Sequence, residues 1–179
     1  FEGGDISCGM RATDGAIEAC VIDKDTMEPS LSVIGDPGQK PVGLCGSGII
    51  DMISELFRCG IINAKGLFVR QGERVKRDAH GMGRFVLAGE HESETGREIS
   101  INEVDIDNFI RAKGAIFSAI HTLLSSVDMS VEMIDTVYVA GGIGSGINMK
   151  NAVNIGMFPD VDLEKFHYIG NSSLTGAYA

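Results

Sequence analysis

The 179-residue sequence has no apolar run approaching the roughly 18 residues that a membrane-spanning helix requires. Nor does its N-terminus carry a basic stretch followed by an apolar one. Neither a membrane span nor a signal peptide is expected, and the expectation is a soluble, cytoplasmic protein with no membrane partner. Basic side chains are scarce: 15 Lys and Arg stand against 25 Asp and Glu, a formal charge of −10. That balance argues against a nucleic-acid surface and against an anionic bilayer, and leaves a protein partner, including a homodimer, open. The four cysteines, Cys8, Cys20, Cys45 and Cys59, contain no Cys-x-x-Cys spacing, so neither a zinc ribbon nor an iron–sulfur loop can be written from them. They read as small buried hydrophobes. His80, His91, His121 and His167 are equally scattered, and no metal site is expected.

What is present is apolar material for a real core, 44% of residues, in a chain short enough for one globular domain. Both ends read as cut, Phe1 in a Gly-rich turn and Ala179 in the first turns of a helix, which predicts a piece of something longer. The organising stretch is Thr136-Val137-Tyr138-Val139-Ala140 followed by Gly141-Gly142-Ile143-Gly144-Ser145-Gly146. The uncharged, β-branched and aromatic run predicts a strand buried on both faces. Four glycines in six then strip the backbone of side chains, so that a flat ligand, a nucleotide first among candidates, can lie on it. A tight strand-to-helix turn is the plainer alternative.

Along the chain, residues 1–15 read as a looping segment. Ala16–Asp23 and Leu31–Gly35 read as an antiparallel edge hairpin in which Pro29 is tolerated. Cys45-Gly46-Ser47-Gly48 opens a helix with Ile49, Ile50, Ile53, Leu56 and Phe57 at helical spacing, and Gly60 closes it as a left-handed cap. Gly46, Ser47 and Gly48 offer free N–H groups and a hydroxyl to an anion, or Ser47 simply caps its own helix. Residues 61–100 break the pattern with a basic run and an acidic tip, and predict an inserted hairpin subdomain. Its basic stretch could meet a partner, although a charge run is usually an exposed surface. Asn102 and Asp105 form a capping-box-like pair at the start of a long helix. Gly114 in mid-helix, at ~1 kcal/mol relative to alanine, predicts close approach by another element or a ligand. Arg111 and Lys113 on that helix could equally be a solvated face. A short helix from Asn148, a buried strand Phe166–Ile169 and a last helix capped by Gly170-Asn171-Ser172-Ser173 complete an α/β order.

Several of these strings taken together are distinctive. Phe1-Glu2-Gly3-Gly4, Cys8-Gly9-Met10-Arg11-Ala12, Pro41-Val42-Gly43-Leu44-Cys45-Gly46-Ser47-Gly48, Arg111-Ala112-Lys113-Gly114, Val139-Ala140-Gly141-Gly142-Ile143-Gly144 and Ile169-Gly170-Asn171-Ser172-Ser173-Leu174 run nearly the whole chain in one order. In this the sequence resembles the C-terminal ATPase domain of the reductive activators of corrinoid proteins, within the superfamily of acetate and sugar kinases, heat-shock chaperones and actin. The resemblance implies a ribonuclease-H-like, actin-like α/β lobe with a mixed sheet flanked by helices. It implies that the turn of Gly141, Gly142 and Gly144, with Ser145 beside it, binds the adenosine of ATP, and that Arg111 and Lys113 occupy the helix whose polar residues line base and ribose; Gly46, Ser47 and Gly48 stay as candidate cofactor contacts on their own chemistry. By the same resemblance the parent protein uses ATP and Mg2+, carries an iron–sulfur cluster in a separate domain, and helps return Co(II) to Co(I) in a corrinoid protein.

One departure from the family pattern stands out. The acidic Asp-x-Gly-Thr hairpin that holds magnesium and phosphates in that superfamily is missing, and Asp5-Ile6-Ser7-Cys8-Gly9 has the wrong spacing. This piece alone is therefore expected to bind nucleotide weakly at most and to turn none over. Two other readings are a small-molecule kinase of the same superfamily and a protein-docking module without a nucleotide role. A dinucleotide-binding fingerprint fails, because Ile147 stands where the third glycine is required.

Overall fold

The computed structural model describes residues 6–141 and 146–178, which fall into two units, residues 1–111 and 112–179. In the first, β1 (Ala16–Ile22) pairs antiparallel with the edge strand β2 (Pro29–Val33), Pro29 standing opposite Ile22 at the strand start, where its missing N–H costs least. On its other side β1 pairs in parallel with β3 (Gly43–Leu44), giving the order β2-β1-β3. The loop before β1 extends this sheet: Met10 N–H donates to Leu44 O at 2.8 Å, and Leu44 N–H donates to Cys8 O at 2.8 Å.

Helix α1 (Gly46–Arg58) covers β1 and buries Ile49, Ile50, Ile53 and Leu56; Phe57 is exposed. The helix approaches so closely at Gly48 that a Cβ there would meet Ile17 O at 2.1 Å. Its far end closes as the glycine predicts: Gly60 has φ +64°, Gly60 N–H donates to Phe57 O and Ile61 N–H to Leu56 O, the two bonds of a Schellman cap. Glu55 ties helix to strand by accepting from Ile22 N–H at 2.7 Å and from Arg58 at 2.6 Å. Burial pushes the Glu55 carboxyl up, but the Arg58 and Ile22 donors outweigh it, and the net shift is downward.

Residues 75–102 form a separate antiparallel sheet, β4 (Val75–Arg77), β5 (Gly83–Ala88) and β6 (Ile99–Asn102), in that order. The basic run around it is occupied within the chain. Arg74 reaches Glu28 at 2.7 Å and Glu92 at 3.1 Å, Lys76 and Arg84 share Glu98, and Arg70 and Arg77 donate to main-chain carbonyls. Helix α2 (Glu103–Ser126) starts on the box read from the sequence: Asn102 Oδ1 accepts from Asp105 N–H at 2.9 Å, and Asp105 Oδ2 accepts from Asn102 N–H at 3.1 Å.

The second unit holds the rest of α2, strand β7 (Val137–Val139), helix α3 (Met149–Asn154), strand β8 (Phe166–Tyr168) and helix α4 (Ser172–Ala177). β7 and β8 pair in parallel, Tyr138 opposite His167, as a two-stranded sheet. The double-sided burial expected for both strands is not found: Tyr138 is 68% and Tyr168 44% exposed. An apolar β-run reports what a strand can bury, and two strands with short helices do not supply the cover. Among the described residues, all buried apolar side chains except Ala152, Ile155, Met157 and Pro159 belong to the first unit. Gly114 also departs from expectation. It is exposed, and a Cβ there would meet nothing within 4 Å.

Candidate functional site

In the second unit the two parallel strands end side by side, each at a glycine that only a residue without a side chain adopts easily. Gly141 has φ +108° and Gly170 has φ +74°. Gly141 N–H donates to Gly170 O at 2.9 Å, and the Tyr168 hydroxyl donates to Gly141 O at 3.0 Å, so the two turns are held as one ledge. A Cβ at either glycine would meet nothing within 4 Å, which leaves the space above the main chain open. Helix α4 starts directly after, with Asn171 Oδ1 accepting from Leu174 N–H at 3.1 Å. Ligands of open parallel sheets sit outside the carboxyl ends of the strands, which is where this ledge lies. Gly142, Gly144 and Ser145, the other residues read as adenosine contacts, lie outside the described residues.

Arg111 and Lys113 both have partners within the chain. Arg111 pairs with Asp107 one turn earlier on an exposed face of α2, the ordinary helical ion pair. The Lys113 ammonium donates to Ile155 O, at the end of α3, where a cation also meets the negative pole of the helix. Each side chain keeps further N–H donors beyond that bond.

The α1 N-terminus belongs to the first unit and is more enclosed than its sequence suggests. Cys45 is the N-cap in extended conformation and makes no side-chain cap bond, and Ser47 does not cap the helix either. Ser47 is buried with its hydroxyl 3.3 Å from Cys45 Sγ, and Cys45 Sγ lies 3.4 Å from Ile17 O. Gly46 and Gly48 are buried too. Gly48 has a packing reason to be glycine, the contact with β1, whatever it does for a ligand. What this terminus can offer an anion is main-chain N–H groups rather than the Ser47 hydroxyl.

Two elements of the region were not signalled locally. Tyr168 clamps the glycine ledge through its hydroxyl, although it reads only as a strand residue. Asp105, read as a helix cap, also accepts from Ser7 N–H at 2.8 Å and Ser7 Oγ at 2.9 Å, 98 residues away. Among the described residues no group of three or more His, Cys, Asp and Glu side chains is arranged to hold a metal ion. Cys20, Cys45 and Cys59 are free and buried, Cys8 free and partly buried.

The likeness to known proteins extends over the whole chain. A family model described as the C-terminal domain of RACo, the ASKHA domain, matches residues 1–179. A corrinoid activation enzyme, RamQ, of Eubacterium limosum is 34% identical over 190 residues, covering 99% of this chain and 30% of that protein. A [Co(II) methylated amine-specific corrinoid protein] reductase of Methanosarcina barkeri is 27% identical over 193 residues, covering 97% of this chain and 32% of that protein. A solved structure of a reductive activator for corrinoid, iron-sulfur protein superposes with a TM-score of 0.91 at 46% identity, covering 99% of this chain and 28% of that one. The chain spans about a third or less of the length of each of these relatives. Glycine-ended parallel strands, the α1 and α2 strings and a full-length family match converge on one assignment: this chain is a member of the ASKHA-domain family that forms the C-terminal domain of RACo.

Proposed function

We propose that this chain is the nucleotide-binding lobe of an ATP-dependent reductive activator that returns Co(II) to Co(I) in a corrinoid protein, working in the cytoplasm. The observation that carries the reading is the 46% identity and 0.91 TM-score, over 99% of the chain, to a reductive activator for corrinoid, iron-sulfur protein. In this reading the ledge of Gly141 and Gly170, with Gly142, Gly144 and Ser145, receives the adenosine. Arg111 and Lys113 are the candidates for base and ribose, and the main-chain N–H groups at Gly46–Gly48, within the first unit, are a separate candidate for phosphate. The Ser47 hydroxyl is buried 3.3 Å from Cys45 Sγ, so the main chain rather than this side chain is the candidate contact. Mg2+ accompanies the ATP, and the iron–sulfur cluster belongs to a separate domain of the parent protein.

The physical need for ATP is energetic. In a one-electron transfer each ~59 mV of unfavourable potential costs tenfold in equilibrium, and nucleotide-linked rearrangement of a two-protein complex can supply that input. The test mixes the complete protein with a Co(II) corrinoid protein and a low-potential reductant, and follows the visible spectrum with and without ATP. Co(I) appearing only with ATP supports the reading; Co(I) indifferent to ATP rejects it. Two variants localise the effect. Gly141→Ala carries only the strain of a side chain at φ +108°, whereas Gly141→Asp adds a carboxylate to the ledge. The ATP dependence should weaken in the first and vanish in the second. Equal behaviour of the two would mean that no anionic or electron-rich ligand approaches this turn.

A further inference from the structure

Asp105 does more than its place on α2 demands. Capping the helix uses one carboxylate oxygen, Oδ2, which accepts from Asn102 N–H at 3.1 Å. The other, Oδ1, accepts both Ser7 N–H at 2.8 Å and Ser7 Oγ at 2.9 Å, while Asn102 Nδ2 donates to Ser7 Oγ at 3.3 Å. The side chain is buried, 2% exposed. A buried carboxylate is costly unless its oxygens are filled, and three donors converge on this acceptor-only group.

What Ser7 leads into gives the surplus bond a purpose. Cys8 O accepts from Leu44 N–H, and Met10 N–H donates to Leu44 O, both at 2.8 Å. The segment lies so close over β3 that a Cβ on Gly43 would meet Cys8 O at 2.5 Å and Met10 Sδ at 3.1 Å. Leu44 is followed directly by Cys45, the N-cap of α1, and by Gly46-Ser47-Gly48. A continuous chain of contacts thus runs from α2 through Asp105 and Ser7 to the strand that delivers the α1 N-terminus. Arg111 stands six residues further along the same helix.

We propose that the Ser7–Asp105–Asn102 cluster is a latch by which helix α2 holds segment Ser7–Met10 against β3, making Asp105 a positioning residue for the nucleotide contact of Gly46–Gly48. The inference rests on the function proposed above. It links the two first-unit elements of that reading mechanically, so that a ligand-driven displacement of α2 reaches the α1 N-terminus.

Cys8 reports the latch independently of nucleotide. Its thiol is pushed up to about 12 by burial and then by the Asp105 charge, so it alkylates slowly in the native protein. Asp105→Asn removes that charge as well as an acceptor. Ser7→Ala removes the two bonds of the hydroxyl, to Asp105 and from Asn102, and leaves the carboxylate and its bond from Ser7 N–H in place, so it isolates movement of the segment. In the complete protein, Ser7→Ala should speed iodoacetamide labelling of Cys8 by about tenfold, the loss of one hydrogen bond to a charged group. Both variants should raise KM for ATP in Co(I) formation, Asp105→Asn more strongly, with kcat within about twofold of wild type, as for lost ground-state positioning. Unchanged Cys8 labelling in Ser7→Ala means there is no latch. Faster labelling with unchanged KM means the cluster is structural and positions nothing. A wild-type protein that ignores ATP removes the functional reading and this role with it, while Cys8 labelling still shows whether the latch exists.

Discussion

Two glycines in two helices, Gly48 in α1 and Gly114 in α2, should respond to the same substitution with opposite sign. Replacing glycine by alanine inside a helix gains up to ~1 kcal/mol from backbone entropy. At Gly114 nothing stands within 4 Å of the new methyl, so this gain should appear almost undiminished. At Gly48 the methyl would meet Ile17 O at 2.1 Å and Ile17 C at 2.9 Å, both main-chain atoms of β1 that no rotamer change can move. The helix must retreat by about 0.9 Å before the closest contact reaches 3.0 Å, and α1 is the element that buries Ile49, Ile50, Ile53 and Leu56. Overpacking of this kind costs typically ~1–3 kcal/mol, and backbone-to-backbone crowding belongs at the upper end. Net of propensity, Gly48→Ala should destabilise by about 2 kcal/mol, or about 4–8 °C in Tm for a chain of this size, and Gly114→Ala should raise Tm by about 2–4 °C. Thermal melts of the two variants beside wild type decide it. If Gly48→Ala melts no lower than wild type, helix and strand are not in the contact described, and the packing reason for that glycine falls. A Gly114→Ala variant that melts lower would mean that α2 is crowded at that point after all.

Two further predictions concern the units and the acid limb. Native-state hydrogen exchange should find the β7 and β8 amides less protected than those of β1 by at least about tenfold, some 1.4 kcal/mol of opening free energy, because nearly all buried apolar side chains lie in the first unit; equal protection would refute that. The Glu55 carboxyl is held below its ordinary value of 4.5. Its contribution to stability is therefore present above that value and is lost as pH falls through the lower folded value. Urea melts at about pH 6 and about pH 3.5 should show Glu55→Gln losing less stability between the two than wild type does. Identical losses would show that Glu55 is not among the titrating groups.

How far the sequence could be read depended on the range over which each signal acts. The Gly60 cap, the Asn102–Asp105 box and the Asn148 and Asn171 caps are settled by bonds within a few residues, and each stands where its local pattern placed it; the hairpin forms as expected, but its second strand is Pro29–Val33 rather than Leu31–Gly35. The two-residue strand β3 and the charged strand β4 carry no such pattern. They exist because neighbours distant in sequence, Cys8 with Leu44 and Phe85 with Val75, offer them partners. Apolar runs misled in the second unit, since Val137–Val139 and Phe166–Tyr168 have the composition of buried strands without the burial. At the candidate site the glycine ledge was visible because loss of side chains is written in the sequence. The enclosure of Ser47 and the hold of Asp105 on Ser7 were not, because both depend on which segment lies opposite.

The parallel pairing of β7 and β8 constrains how this part of the chain can come together. A hairpin such as β1–β2 can zip from its turn, but parallel strands share no turn and must wait for the intervening residues, α3 among them, to travel the length of the sheet and return. Closing that excursion costs entropy before any ladder bond repays it. The ends of β7 and β8, where Gly141 meets Gly170, can therefore meet only once that excursion has closed.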